Sequence, residues 1–167
     1  MTDNPSAWYL VATDDGSDKA YTATREAGFE LAAEADAGVI LYDRTSESKM
    51  TNPYPAGPWS DEHDAVSPES ELGPETLQEM GRGYLADQVV AGRERGLDVR
   101  AHLAVNTGAE ALSDAVERYR PAAVVFPESV QEDGNVFDKV RHNTVADALA
   151  HTDARVILID QQGNPVE

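Results

Sequence analysis

The stretch "WYLVATDDGSDKAYTATREAGFELAAEADAGVILYD", residues 8–43, decides the fold. It opens with the apolar run "WYLVAT" (8–13) and closes with a second run, "GVILYD" (38–43). Both runs are continuous rather than alternating, which is typical of parallel strands that are covered by helices on both faces. Between them, Lys19 to Ala35 carries small residues at helical spacing, so a helix could lie close to the sheet. The pattern predicts a strand, a helix and a parallel strand.

Three more apolar runs follow: "LDVRAHLAV" (97–105), "AAVVF" (122–126) and "ARVILID" (154–160). Segments of helical period lie between the runs, and right-handed crossovers then place the helices on both faces of one sheet. The sequence therefore predicts an α/β protein with an open doubly wound five-stranded parallel sheet. At 167 residues the chain has the length of one domain, 1–167, with a substantial core.

Turn and capping residues give the expected limits of the later helices. One helix is predicted from Pro74, a good first-turn residue, to a C-cap at Gly96. "AEALSDAVERYR" has apolar residues at helical spacing and ends before Pro121. Asn143 or Thr144 can cap a last short helix.

The third apolar run differs from the others because "DVRAHLAV" alternates. Alternation indicates one wetter face, as on a strand at the edge of a sheet. His102 lies in this run and is expected at the surface or the rim.

Residues 46–73 interrupt the predicted alternation of strands and helices. They hold four prolines among Ser, Glu and Asp, so no helix or strand can run through most of the segment. We interpret it as a long loop insertion after the second strand. Loops of this length are usually functional or disordered, and the sequence leaves both alternatives open.

The charge of the chain restricts its partners and its setting. A net charge of −18, from 31 acidic and 13 basic residues, disfavours nucleic acid and anionic membranes as partners. Only three of the basic residues are lysines, a bias typical of cytosolic proteins of halophilic archaea, although an acidic protein of an ordinary bacterium remains an alternative. With no cysteine, no long apolar segment and four scattered histidines, we expect a soluble cytoplasmic protein without disulfides or a structural zinc site.

Two acids, Asp14 and Asp15, follow the first strand, at the sheet edge where doubly wound proteins bind ligands. They could serve a ribose hydroxyl, a metal ion or neither, because Asp and Ser also cap helices and Gly16 suits the bend. A phosphate-accepting receiver domain is excluded, since Asn106 follows the third strand and Asp160 ends the fifth, where a receiver needs Asp and Lys.

In order and spacing, three blocks together resemble the universal stress protein family: residues 9–43, "VNTGAEALSDAVERYRPAAVVF" (105–126) and "NTVADALAHTDARVILID" (143–160). The resemblance covers nearly all of the chain except the 46–73 insertion. It implies a sheet of strand order 3-2-1-4-5. It also implies a homodimer through the last strand, 154–160. The alternative is that the tail "QQGNPVE" (161–167) folds back over this edge in a monomer, although Gly163 and Pro165 make it unstable as a strand.

ATP-binding members of that family carry Gly, two residues, Gly, nine residues, and Gly followed by Ser or Thr after the fourth strand. In this sequence the three glycine positions hold Pro127, Val130 and Asn143, with Thr144 next and three residues inserted. A phosphate cradle needs free backbone N–H groups and bends without a Cβ. The resemblance therefore implies no tight ATP binding and no expected cofactor.

A degenerate nucleotide site, for ATP or AMP, is the alternative that the resemblance leaves open. Its residues would be Asp14 or Asp15 for the ribose, Val39 beside the adenine, and Asn143 and Thr144 at the helix start. The neighbouring Arg141 and His142 could supply side-chain donors.

Catalysis finds little support in the sequence. It has no Cys, no Gly-x-Ser-x-Gly motif and no His near a nucleophile. The expected function is a stress-related binding or regulatory module, homodimeric and with a further protein partner. The alternative is a nucleotide-binding member with weak ATPase activity and a rebuilt phosphate loop.

Overall fold

The structure is a computed structural model that describes residues 7–44, 74–79, 81–103, 108–132, 148–149 and 152–166. Its strands are β1 (Trp8–Thr13), β2 (Gly38–Asp43), β3 (Val99–Leu103), β4 (Ala123–Pro127), β5 (Arg155–Ile159) and β6 (Pro165–Val166). Its helices are α1 (Lys19–Glu34), α2 (Pro74–Glu79), α3 (Gly83–Glu94) and α4 (Gly108–Tyr119), with a 3₁₀ helix at Glu128–Glu132. Residues 148 and 149 are also helical. The 46–73 insertion lies outside the described residues.

The sheet has the strand order β3-β2-β1-β4-β5-β6. Strands β1 to β5 are parallel, and β6 runs antiparallel to β5. The predicted α/β class and the order 3-2-1-4-5 are confirmed. All five predicted parallel strands are present, and the chain turns back after β5 and adds a short sixth strand.

A tight turn produces this sixth strand. The Asp160 carboxylate accepts hydrogen bonds from the N–H groups of Gln162 and Asn164, both at 2.9 Å. Gly163 has a φ of 86°, which residues with a Cβ rarely adopt. The turn places Val166 opposite Leu158 at the outer edge of β5.

Two apolar layers enclose the sheet, one on each face. Helices α1, α2 and α3 cover one face, where they bury residues that include Val11, Phe29, Val39, Leu41, Leu77, Leu85 and Val89. Helix α4, the 3₁₀ helix and residue 149 cover the other, with Leu10, Ala12, Tyr42, Leu112, Phe126, Val130 and Leu149. A sheet buried on both faces explains why its strands read as continuous apolar runs.

Two glycines let helices approach the sheet closely. A Cβ at Gly28 in α1 would lie 2.6 Å from Cγ1 of Val11 in β1. A Cβ at Gly92 in α3 would lie 2.5 Å from Cγ2 of Val99 in β3. At these two glycines the helix backbone packs directly on valine side chains of the strands.

The single helix predicted from Pro74 to Gly96 is wrong, since it is divided into α2 and α3. Gly81 has a φ of 79° and its N–H donates to the carbonyl of Gln78, while the Arg82 N–H donates to that of Leu77. These two bonds form a Schellman motif, which ends α2. Gly96 ends α3 in the same way, with a φ of 89°, as predicted.

Strand β3 lies at the edge of the sheet, as its alternating pattern predicted. The Val39 N–H donates to the carbonyl of Asp98, so the backbone groups of Val99 point away from β2. The Arg93 guanidinium donates two hydrogen bonds to this outward carbonyl, at 3.1 and 3.2 Å. A side chain of α3 thus covers part of the outer edge of β3.

His102 of β3 is buried, only 6% exposed, so its predicted surface position is wrong. Its ring stacks on Tyr42 with 5.9 Å between centroids and meets the edge of Tyr119 at 5.3 Å. His102 Nδ1 lies 3.0 Å from the Tyr119 hydroxyl. Burial, helped by the charge of Arg118, lowers the pKa of His102 to about 4. Alternation did not reveal that two aromatic side chains enclose this position.

Candidate functional site

The candidate site lies at the carboxyl ends of the parallel strands. Asp14 follows β1, Asp43 ends β2 and Pro127 ends β4. Thr13 and Asp43 are aligned in the register of β1 and β2. The strand order reverses beside β1, which is the place where doubly wound sheets form a ligand crevice.

Asp14 closes the turn between β1 and α1. Its Oδ1 accepts the Gly16 N–H at 2.8 Å, and its Oδ2 accepts the Asp18 N–H at 3.2 Å. The residue is 7% exposed, and this burial raises the pKa of its carboxyl in spite of the two hydrogen bonds. The capping interpretation of Asp14 is thus supported by its geometry.

The other residues of the "DDGS" turn and Asp18 also stabilise the start of α1 by local interactions. Asp15 Oδ1 accepts the Ser17 N–H at 3.0 Å, and its side chain is exposed. Asp18, rather than Ser17, is the N-cap of α1 and accepts the Ala20 N–H at 2.9 Å. Gly16 adopts a φ of 93°, which explains the glycine at the bend.

A buried polar network joins the end of β1 to α3. The Thr13 hydroxyl donates to Gln88 Oε1 at 2.6 Å, and Gln88 Nε2 donates to the Asp14 carbonyl at 2.9 Å. Arg25 of α1 adds a bond from Nη1 to the Thr13 hydroxyl at 3.3 Å. The network fixes the backbone at Asp14. Sequence reasoning missed Gln88, although a polar residue within the apolar face of a helix was the available signal.

Asp43 is a second acid at the site that sequence reasoning missed. It is 0% exposed, and its Oδ2 accepts a hydrogen bond from the Tyr84 hydroxyl of α3 at 2.5 Å. A charge-assisted bond to a buried carboxylate is among the stronger protein hydrogen bonds. The sequence signal for Asp43 was its position as an acid that directly ends an apolar run. A similar position, directly after a strand, identified Asp14.

The first turn of α1 contacts the residue after β2. The Arg44 Nη1 donates to the Tyr21 hydroxyl at 3.1 Å, and the guanidinium lies 6.0 Å from the centre of the Tyr21 ring. Tyr21 is 8% exposed and belongs to the same buried cluster as Tyr42 and Val130. Protein side chains therefore fill part of the space at this end of the sheet.

Val39 is separated from the other site residues. It is the second residue of β2 and fully buried beneath α1 and α3. It lies four positions before Asp43 in the strand, a distance of about 13 Å. The structure does not bring Val39 together with Asp14 and Asp15.

The chain after β4 holds the first two positions of the degenerate glycine pattern. Pro127 is buried at the end of β4. Val130 lies in the 3₁₀ helix, is 0% exposed, and packs in the cluster with Leu10 and Phe126. The remaining predicted site residues, Arg141, His142, Asn143 and Thr144, lie outside the described part of the chain.

The reversal of strand order beside β1 defines an open doubly wound α/β domain, a class that binds ligands at the carboxyl edge of its sheet. Within that class the fold is that of universal stress proteins. A universal stress protein in complex with cAMP superimposes with a TM-score of 0.55 at 16% identity, over 92% of this chain and 96% of that chain. One from Burkholderia pseudomallei gives 0.52 at 22% identity, over 92% and 95%.

No family model matches the sequence, and no curated protein is significantly similar to it. At identities of 16% and 22%, the likeness to the solved structures establishes the fold. Among the described residues, no helix is long and apolar enough to cross a membrane.

Proposed function

We propose that this chain is a stress-related binding or regulatory module of the universal stress protein type that does not hold ATP tightly. The observation that supports the proposal is the burial of the Val130 side chain. Val130 stands at the second glycine position of the ATP pattern, and its side chain is fully buried in the core. A residue anchored in this way is poorly suited to present its backbone to a phosphate.

The neighbouring position adds a second obstacle to a phosphate cradle. Pro127 has no N–H to donate, and β-branched Val130 resists the positive φ that a tight anion loop requires. The 3₁₀ helix begins directly after Pro127, with the acid Glu128 in its first turn. Both donor loss and local charge therefore oppose a bound triphosphate.

Titration calorimetry with ATP and Mg²⁺ in molar KCl tests this proposal. The expected dissociation constant is weaker than about 100 µM, which corresponds to a binding free energy of only about −5 kcal/mol. A single-digit micromolar value would overturn the proposal. Circular dichroism in the same buffer is the control that the protein is folded.

A nucleotide with one phosphate is the second candidate ligand. It is favoured by the similar universal stress protein that was solved with cAMP, because a smaller ligand makes fewer demands on the loop after β4. In this candidate function Asp14 or Asp15 contacts the ribose, and the longer loop with Arg141 to Thr144 replaces the glycines. Slow hydrolysis of ATP would accompany it.

AMP and cAMP titrations separate this candidate from the first. Asp14→Asn should weaken AMP binding at least tenfold, since it removes the carboxylate charge from the site. The matched control is Asp36→Asn, which changes an exposed acid beyond the other end of α1. Absence of any AMP or cAMP binding, or equal binding by both variants, would count against the nucleotide candidate.

A homodimer through residues 154–160 is part of the proposal. The Arg155 N–H donates to the carbonyl of Ala122 in the direction of β4, so alternate backbone groups of β5 point to its outer edge. In the part of the chain that the structure describes, strand β6 pairs with Leu158 and Ile159 and not with Val156. An edge of apolar residues favours pairing with a second copy, and two-fold dimers are the commonest oligomers.

Light scattering in molar KCl measures this association, and a mass near 18.0 kDa would exclude the dimer. Deletion of residues 161–167 leaves β5 with its whole outer edge uncovered. The deletion should strengthen association if the second copy pairs with β5. An unchanged mass would place the contact elsewhere.

The setting we propose is the cytosol of a halophilic archaeon. Its support is the net charge of −18 with only three lysines. Exposed carboxylates repel one another in dilute buffer and are screened in strong salt. The same charge argues against nucleic acid and anionic membrane as partners and leaves a second protein as the expected one.

A further inference from the structure

The start of helix α3 lacks the usual side-chain cap. Arg82 occupies the N-cap position with φ −112° and ψ 47°, and its side chain makes no capping hydrogen bond. Its carbonyl accepts from the N–H groups of Leu85 and Ala86, both at 3.0 Å. Within the described residues no acceptor for the Gly83 N–H is found. An uncapped helix start carries a partial positive charge.

The Arg82 side chain is an independent observation at the same place. The residue is only 9% exposed, and its Nε is buried without a hydrogen-bond partner. Among the residues that the structure describes, its guanidinium forms no ion pair. A buried N–H donor without an acceptor is costly, so a ligand that supplies an acceptor at this position is favoured.

The backbone around Arg82 is both open and held in place. A Cβ added at Gly81 or at Gly83 would meet no atom within 4 Å, so there is space on either side of Arg82. The Arg82 N–H is fixed at 2.7 Å from the carbonyl of Leu77, whose side chain is fully buried. The helix start is therefore positioned before any ligand arrives, which reduces the entropy lost on binding.

We propose that the start of α3 is a binding site for a phosphate group, held by the Arg82 guanidinium and the Gly83 N–H. The guanidinium offers N–H donors in a planar fork that matches two phosphate oxygens, and the helix end offers a further N–H to the same anion. The two donors belong to adjacent residues, and in this proposal they serve one ligand. The site is separate from the chain after β4 and does not depend on ATP binding there.

The high negative charge of the chain repels anions at long range, but dissolved salt screens this repulsion. In molar salt the Debye length is about 3 Å, so charges beyond direct contact are largely screened. The Asp43 carboxyl group at the end of β2 already accepts a hydrogen bond from the Tyr84 hydroxyl. Short-range donors rather than net charge therefore decide binding under such conditions.

Thermal melts with inorganic phosphate in molar KCl test the site. At a hundredfold excess over its dissociation constant, phosphate should raise the melting temperature by roughly 5 °C. Arg82→Met should abolish that rise, and in chloride alone the variant should melt higher than wild type because no buried N–H donor is left without an acceptor. Arg95→Gln is the matched control, since Arg95 is an exposed partner of Glu26, and it should keep the rise.

A phosphate-induced rise that is equal in Arg82→Met and wild type would place phosphate elsewhere and overturn the proposal. No rise in wild type would overturn it as well. Should Arg82→Met fail to fold, amide spectra of wild type decide the matter. Phosphate should then shift the Arg82 side-chain Nε–H and the Gly83 N–H, and shifts confined to other residues would refute the site. Inorganic phosphate is the probe, so a failure of the ATP proposal leaves this result unaffected.

Discussion

The Tyr84 hydroxyl donates to the Asp43 carboxylate over 2.5 Å, and this bond fastens helix α3 to the end of strand β2. Asp43 is fully buried, so its carboxyl group needs hydrogen-bond donors of this kind. Together with Gln88, which binds the Asp14 carbonyl, Tyr84 makes α3 the element that fixes the carboxyl edge of the sheet.

Tyr84→Phe should lower the free energy of unfolding by about 1–3 kcal/mol, because the buried carboxylate loses a donor while the ring packing is kept. Urea denaturation in molar KCl measures the change. Tyr9→Phe is a suitable control, since Tyr9 is also partly buried and no hydrogen bond of its hydroxyl is found in the described structure. Equal losses in both variants would show that the bond to Asp43 contributes little.

Acid should destabilise the protein partly through His102. Its pKa is about 4 in the folded state against about 6.5 in the unfolded chain, so the unfolded chain binds the proton first. The stability that neutral His102 contributes is complete above pH 6.5 and is lost as the pH falls toward 4, a loss of about 3 kcal/mol.

The His102→Phe variant isolates this effect. It keeps an aromatic ring against Tyr42 but cannot be protonated, although Tyr119 loses a hydrogen-bond partner. Unfolding free energies at pH 7.5 and pH 4.5 should differ less in the variant than in wild type. If the unfolding free energy changed equally between pH 7.5 and pH 4.5 in both proteins, that result would contradict the lowered pKa of His102.

Gly28→Ala should destabilise the protein by about 1–3 kcal/mol, because the added methyl group overpacks the contact between α1 and β1. The clash is with the side chain of Val11, at 2.6 and 2.7 Å. Val11→Ala should therefore cost less in the Gly28→Ala background than in wild type. Additive effects in this double-mutant cycle would argue against the contact.

The melting midpoint should rise from dilute buffer to molar KCl, because salt screens the repulsion among 31 acidic side chains. Melts followed by circular dichroism at several KCl concentrations give the trend. Matched NaCl melts test whether the effect is general screening. A midpoint that does not change with salt would contradict the halophilic interpretation.

Much of the fold was predictable because it depends on local patterns. Continuous apolar runs indicated buried parallel strands, and Gly96 and Pro121 marked the ends of helices. The division at Gly81 was not foreseen, because a glycine within a helical pattern is often tolerated and only its φ reveals the break. The tail that folds back over the edge of β5 was considered only as an alternative, because Pro165 argues against a strand in any position except an edge.

The site was less predictable because its main contacts join residues far apart in the sequence. Gln88 and Tyr84 reach the ends of β1 and β2 across about 40 to 75 residues of chain. The burial of His102 depends on Tyr42 and Tyr119, which no short-range pattern connects. Asp14 was identified because it directly follows a strand, a relationship that is visible in the sequence alone.

The two guanidinium bonds from Arg93 to the Val99 carbonyl also affect how the protein behaves when it is concentrated. A bare carbonyl on β3 would be an acceptor for the edge of another molecule and a point from which fibrils could grow. Arg93 occupies that acceptor, while β6 shields part of the opposite margin. We therefore expect the resistance of concentrated solutions to aggregation to depend on Arg93 and on the two-residue strand β6. Neither contributes to the candidate ligand site.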